Sequence, residues 1–230
     1  MMNFFKSIIF NRFVAQNLIH VVLSLHSFLY KLLTKFAIVN NKGVHPKHEI
    51  IKYEQWFFNN IDDGWVVLDI GSNYGKLSQY LSKKASYVYG IEIEQKHVNK
   101  AISLNQRTNV SYICADATEY LYDDMKNIDC IVLSNVLEHI ENRVEFLNSM
   151  MSKNIWNDNK YILIRVPMID RDWVVQYKQS LGLEYRLDTT HFIEYTLDNF
   201  VYELKEAGIS IKSYSIKYGE IYAVCEGNIG

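Results

Sequence analysis

From residue 65 onward, short apolar runs alternate with segments whose apolar residues recur every three or four positions. The runs 65–70, 87–93, 110–114, 128–134 and 160–166 are rich in Val, Ile and Tyr and predict strands. Helical spacing over 74–84, 95–107, 118–125, 141–153 and 196–207 predicts a helix after each of the first four strands and another after 167–195. Such alternation predicts a mostly parallel sheet with helices on both faces. The end of the chain breaks the rhythm. Runs 209–217 and 220–226 are separated only by Tyr218-Gly219, too short for a crossover, so they predict a hairpin with an antiparallel last strand. Ile50, Tyr53, Phe57 and Ile61 predict one amphipathic helix over 45–61.

Upstream, "FVAQNLIHVVLSLHSFLY" (13–30) is apolar but interrupted by Gln16, Asn17, His20, Ser24, His26 and Ser27. It reads as an amphipathic helix packed on the domain, a membrane-surface helix, or a marginal span. Charge separates this arm from the rest. Residues 1–48 hold Lys6, Arg12, Lys31, Lys35, Lys42 and Lys47 and no acid, which leaves 18 basic and 26 acidic residues, a balance of −8, in the remainder. The expected organisation is a basic helical arm over 1–44 and a domain over 45–230. An acidic body argues against DNA as a partner and disfavours RNA. Cys114, Cys130 and Cys225 all lie in strand-like runs with no Cys-x-x-Cys pair, so they are expected to be buried thiols in a reducing compartment. A cytoplasmic location, or one peripheral at the membrane, follows.

The chemistry gathers at "VVLDIGSNYGKLS" (66–78). A phosphate loop needs four residues between its glycines and then Lys-Ser/Thr. Here three residues separate Gly71 from Gly75, and Lys76 precedes Leu77. A dinucleotide fingerprint needs glycine where Asn73 and Lys76 stand. Asp69 would repel a pyrophosphate but suits a cationic group, such as the ammonium and sulfonium of S-adenosylmethionine. Glu92 closes the second strand at an offset suited to ribose hydroxyls. Asp116 follows the third strand in "CADATEY", and "LSNVLEHI" follows the fourth.

In this order, "LDIGSNYG", "GIEI", "ADA" and "LSNVLEHI" resemble the successive motifs of the class I S-adenosylmethionine-dependent methyltransferases over about residues 45–226. Asn73 stands where the family often has glycine. The resemblance implies a Rossmann-like α/β fold with seven strands in the order 3-2-1-4-5-7-6, the seventh antiparallel. It implies a cofactor site of Asp69, Gly71, Ser72, Asn73, Gly75, Glu92, Ile93, Asp116, Ala117 and Asn135. Several segments also look like a bacterial subgroup of the methyltransferase type 11, 12 and 23 kind, often associated with polysaccharide biosynthesis.

The acceptor is less legible. The Asn/Asp-Pro-Pro-aromatic motif of methyltransferases acting on DNA bases is missing after strand four, where "SNVLEH" stands. Glu138, His139 and His191 match positions that bind a divalent metal in small-RNA 2′-O-methyltransferases and quinone-pathway O-methyltransferases, with Asn135 replacing the first carboxylate. Three readings stay open: a divalent metal on Glu138, His139 and His191, a metal-free pocket with His139 or His191 as catalytic base, or purely structural roles in capping a helix and lining the pocket. The stretch 167–195 carries Trp173, Tyr177, Tyr185, Phe192 and Tyr195 with Arg171 and Arg186, and is expected to line the acceptor pocket. The expected activity is methyl transfer to an oxygen, or a nitrogen, of a small-molecule, sugar or lipid-linked acceptor, with membrane contact through residues 1–40. The alternatives are a non-catalytic cofactor-binding scaffold and a metal-assisted RNA 2′-O-methyltransferase.

Overall fold

The computed structural model describes residues 11–227, the Asn159 side chain excepted. Lys6 and the rest of 1–10, the start of the expected basic arm, lie outside the described residues. The chain divides into two compact units, Met1–Lys52 and Tyr53–Gly230. The first contains α1 (Arg12–Asn40) and α2 (Pro46–Ile51). Asn11 caps α1, its side chain accepting the Val14 N–H. The expected helix over 45–61 is two helices. Lys52 adopts a left-handed conformation and its N–H closes on the His48 carbonyl, ending α2 before α3 (Tyr53–Asn59) begins.

The second unit is built on seven strands: β1 (Val66–Ile70), β2 (Tyr87–Glu92), β3 (Val110–Cys114), β4 (Ile128–Ser134), β5 (Trp156–Pro167), β6 (Ile209–Lys217) and β7 (Glu220–Gly227). Their order is β3-β2-β1-β4-β5-β7-β6. β1 to β5 pair in parallel, and β7 is antiparallel to both β5 and β6. The hairpin turns on Tyr218 and Gly219, both at positive φ as a two-residue turn matching strand twist requires. Between and after the strands lie α4 (Lys76–Leu81), α5 (Gln95–Leu104), α6 (Arg143–Ser152), α7 (Trp173–Ser180) and α8 (Leu197–Glu206).

Both faces of the sheet are covered, which is why the central strands read as continuous apolar runs. Leu68, Ile70, Ile131 and Leu133 pack with Phe146 and Leu147 of α6 and Phe200 and Leu204 of α8. Val67, Val88, Cys130 and Val132 pack on the opposite face with Phe57 and with Leu77 and Leu81 of α4. Two expectations fail here. Residues 118–125 are turns rather than a helix, because Asp116 accepts from Thr118 and Tyr122 turns left-handed to bury its ring in the core. Cys130 and Cys225 are buried, but Cys114 is exposed because it is the last residue of a strand near the sheet edge.

Candidate active site

Parallel strands point their carboxyl ends the same way, so the segments after β1, β2, β3 and β4 gather along one edge of the sheet. Residues alternate faces along β1, and Asp69 follows Val67 toward α4. There its Oδ2 accepts the Ser78 hydroxyl at 2.5 Å. Asp69 is 1% exposed. Burial pushes its pKa from 3.8 up to about 7; the Ser78 hydrogen bond opposes that and the Glu92 charge adds to it.

The glycine loop hangs from the neighbouring strand. Gly71 and Ser72 donate their N–H groups to the Ile91 carbonyl at 2.8 and 3.0 Å. Asn73, at φ 50, donates its N–H to Glu92 Oε2 at 2.9 Å, and Glu94 N–H reaches Oε1 at 3.0 Å. Each Glu92 oxygen keeps a second lone pair for a further donor. Gly75 has φ 75, and a Cβ there would clash with the Tyr112 hydroxyl. That tyrosine donates to the Gly75 carbonyl at 3.2 Å. Ser72 Oγ is buried without a hydrogen-bond partner among the described residues. Asn135, left-handed at φ 57, holds its backbone N–H on the Arg165 carbonyl, while its Oδ1 is likewise buried and unpartnered. Asp116 is exposed and accepts from the Thr118 backbone and hydroxyl; Ile93 is exposed, and Ala117 packs half-buried on the core. The loop and Glu92 are thus joined directly, and Asp116, Ala117 and Asn135 stand after the next strands on the same edge.

A second cluster forms beyond β4. Glu138 lies in a short 3-10 turn (Leu137–His139), fully buried, with neither carboxylate oxygen hydrogen-bonded to another of the described residues. Burial pushes its pKa from 4.5 up to about 8, against a lowering pull from Arg165. The Phe192 N–H donates to the Glu138 carbonyl at 2.7 Å and ties the segment before α8 to this turn. The His139 and His191 rings meet edge-on at 4.5 Å. One ligand atom from each of Glu138, His139 and His191 lies within 4.8 Å of the others. Burial and then the neighbouring His191 lower the His139 pKa from 6.5, favouring the neutral ring.

Three residues here escaped the sequence reading. Glu194 stands 3.0 Å from His191 Nδ1 and also accepts the Leu187 N–H and an ion pair from Arg171 at 2.5 Å. Although burial opposes it, the His191 hydrogen bond holds the Glu194 pKa below its ordinary value. Its signal was the acid three residues after His191 in "HFIE". Arg165 forms a two-pronged pair with Glu220 at 2.8 and 3.0 Å and stacks over Tyr53 at 4.4 Å. A lone arginine inside an apolar strand was its signal. Tyr112, beneath the loop, gave none.

The 167–195 stretch departs from expectation. Arg171 is engaged by Glu194, Met168 and Tyr185, and Arg186 by Glu184 and the His191 carbonyl. Both arginines therefore brace the segment. Tyr195 is buried and donates to Glu203. Trp173 and Phe192 remain exposed. A cleft of about 470 Å³ lies among Ile169, Gln176, Tyr185, Phe192 and Asn199.

Comparison with known proteins bears on this geometry. A family model described as a methyltransferase domain matches residues 68–152. The mitochondrial ubiquinone biosynthesis O-methyltransferase of Arabidopsis thaliana is 30% identical over 99 residues, 41% of this chain and 30% of that protein. The probable (S)-tetrahydroprotoberberine N-methyltransferase 2 of Papaver bracteatum is 34% identical over 95 residues, 39% and 26% of the two chains. The chain thus spans between about a quarter and a half of the curated relatives' lengths. Among solved structures, an S-adenosylmethionine-dependent methyltransferase of Methanosarcina mazei superposes with a TM-score of 0.60 at 17% identity, covering 76% of this chain and 97% of that one. The magnesium protoporphyrin IX methyltransferase of Synechocystis, solved with bound S-adenosylhomocysteine, gives 0.59 at 16%, covering 79% and 83%. At these identities the likeness is one of fold.

Proposed function

We propose, from a chain that belongs to the class I S-adenosylmethionine-dependent methyltransferases, that the protein methylates an oxygen of a small-molecule, sugar or lipid-linked acceptor. A nitrogen acceptor is the second choice. The observation that carries the reading is the glycine loop pinned to β2 through Ile91 and Glu92. The residues fit the cofactor. Ser72 Oγ and Asn135 Oδ1 are buried polar atoms lacking partners, and Glu92 presents a carboxylate with acceptor capacity left over. When bound, S-adenosylmethionine supplies an electrophilic methyl group and leaves as S-adenosylhomocysteine.

The chain's own work is positioning, exclusion of water and proton removal. Glu92 would receive the ribose hydroxyls, and the Gly71–Gly75 loop would admit close approach of the ligand. Asp69 would fix the start of α4 behind the loop through Ser78 and, when ionised, add negative charge behind the site of the cationic group. His139, whose ring is held neutral by burial, or His191 would take the proton that an acceptor hydroxyl loses. The polar cleft beside Glu194 supports a hydroxyl-bearing acceptor. A cytoplasmic domain working at the membrane would suit a lipid-linked one.

A metal-assisted reading is favoured by one observation, the gathering of ligand atoms from Glu138, His139 and His191. A buried carboxylate without a partner among the other described residues is a fit donor, and one oxygen with two imidazoles suits zinc or iron better than magnesium or calcium. A metal held by Glu138, His139 and His191 would polarise the acceptor oxygen.

The test is calorimetric titration of S-adenosylhomocysteine in chelator, then with added divalent metal, followed by methyl transfer to candidate acceptors. Micromolar binding supports the cofactor reading. No binding in either buffer refutes it. Binding without transfer to any hydroxyl or amine acceptor would favour the non-catalytic scaffold. Transfer undiminished by chelation rejects the metal.

A further inference from the structure

The arm presents a surface of its own. α1 has 29 residues, and at 100° per residue its positions divide into two sectors. Gln16, His20, Ser24, Ser27, Lys31 and Lys35 follow one another at steps of three and four along one stripe. Leu18, Val22, Leu25, Leu29, Leu33 and Phe36 do the same on another side, and all six are between 47% and 64% exposed. Six large apolar side chains in a continuous exposed row are unusual for a helix in water.

We infer that α1 is an in-plane membrane helix that seats this row in the acyl region of an anionic leaflet. Charge chooses the occupant. Every ionised residue from 1 to 48 is a cation, with Arg12 at one end of α1, Lys31 and Lys35 on its polar stripe, and Lys42 and Lys47 just beyond. That charge complements phosphate headgroups.

A second copy of the chain is the rival occupant, since Leu18, Val22, Leu25 and Leu29 also keep heptad spacing. It is the weaker one. The apolar sector widens past a two-stranded seam to include Val21, Phe28 and Leu33, and no acid in the arm is available to pair with a neighbour's lysines. Spanning is also disfavoured. By length and composition alone α1, with a mean hydropathy of 1.4 over 18 residues, could cross a membrane, but its polar stripe would then have to lie in hydrocarbon. The inference stands on α1 alone and does not depend on the methyl-transfer reading.

The test is flotation of the full chain with vesicles of phosphatidylglycerol and phosphatidylcholine, against phosphatidylcholine alone. Binding at least tenfold stronger to the anionic vesicles, weakened by high salt and released by alkaline carbonate, is the expected result. The double substitution Leu25→Glu/Leu29→Glu should abolish flotation. Lys31→Glu/Lys35→Glu should remove the preference for anionic lipid. Absence of flotation, equal flotation with both vesicles, or retention through the carbonate wash would each overturn the in-plane assignment. A lipid-free dimer that Leu25→Glu/Leu29→Glu dissociates, in a chain that does not float, would assign the row to a second copy.

Discussion

Asp69 and Glu138 are both buried carboxylates at the edge where the strands end, and burial raises both pKa values. Their surroundings differ. Asp69 accepts from Ser78, on a helix that begins a few residues later in the chain. Glu138 has no hydrogen-bond partner for either oxygen among the other described residues and stands with two histidines, one of them from the 167–195 stretch. In the first half the Asp69 carboxylate is met by a short-range partner, while Ser72 Oγ and Asn135 Oδ1 are left for a ligand. The second is drawn from separated segments and is left with acceptor capacity that a proton, a metal or a substrate must meet.

The sharpest way to break that contrast is through the support of the second half. Arg165 and Glu220 are 4% and 1% exposed, and each is the other's charge partner. Removing one member of such a pair strands the other, at a cost of about 3–5 kcal/mol. Arg165→Met should lower stability by that amount in urea titration, whereas Arg165→Met/Glu220→Leu should recover much of it. A loss below about 1 kcal/mol in the single variant would show that the pair does not hold this half together.

This difference in assembly also explains what the sequence made legible. Strand positions and the sheet order followed from apolar runs and the two-residue turn at Tyr218-Gly219, because those signals are local. Gly71, Gly75 and Glu92 were readable because glycines after one strand and an acid ending the next are marks carried by the residues themselves. Lys52 and Tyr122 were not, since a left-handed lysine or tyrosine leaves no compositional mark. Glu194 was missed because its meaning depends on three contacts, two of them to Arg171 and Leu187, which only the fold brings near. The arginines of the 167–195 stretch were expected to line the acceptor pocket, but Arg171 and Arg186 are engaged by partners within the segment.

Glu194 offers the next test. Its Oε1 serves His191 and Leu187, and its Oε2 serves Arg171. In Glu194→Gln an amide nitrogen must face one of these donors, which turns the His191 ring. Turnover should fall roughly tenfold to a hundredfold, with S-adenosylhomocysteine affinity unchanged by calorimetry. Equal losses in turnover and cofactor affinity would mean the two halves are not separable.

Asp69 tests the other half. Its folded pKa is raised, so the folded state holds the proton where the unfolded chain has released it. The stability this contributes is complete below about pH 4 and is lost as pH rises through about 7. Asp69→Asn should flatten that slope and leave the domain on the order of 1–3 kcal/mol more stable at pH 8. It should also weaken S-adenosylhomocysteine about tenfold, near 1.4 kcal/mol. A gain in stability with unchanged affinity would reduce Asp69 to a structural role.

The smallest effect concerns Cys114, which ends β3 with its Sγ 3.5 Å from the Ile93 carbonyl. Cys114 is exposed, while burial raises the pKa of the Cys130 thiol beyond reach at neutral pH and pushes that of Cys225 up to about 12. Ellman's reagent should therefore titrate one thiol in the native chain and all three in denaturant. Because Ile93, Asp116 and Ala117 stand beside Cys114 on the cofactor half, S-adenosylhomocysteine should slow that single reaction a few-fold, whereas occupation of the Glu138 cluster by added metal should leave it alone. Protection by metal but not by S-adenosylhomocysteine would reverse the assignment of the two halves.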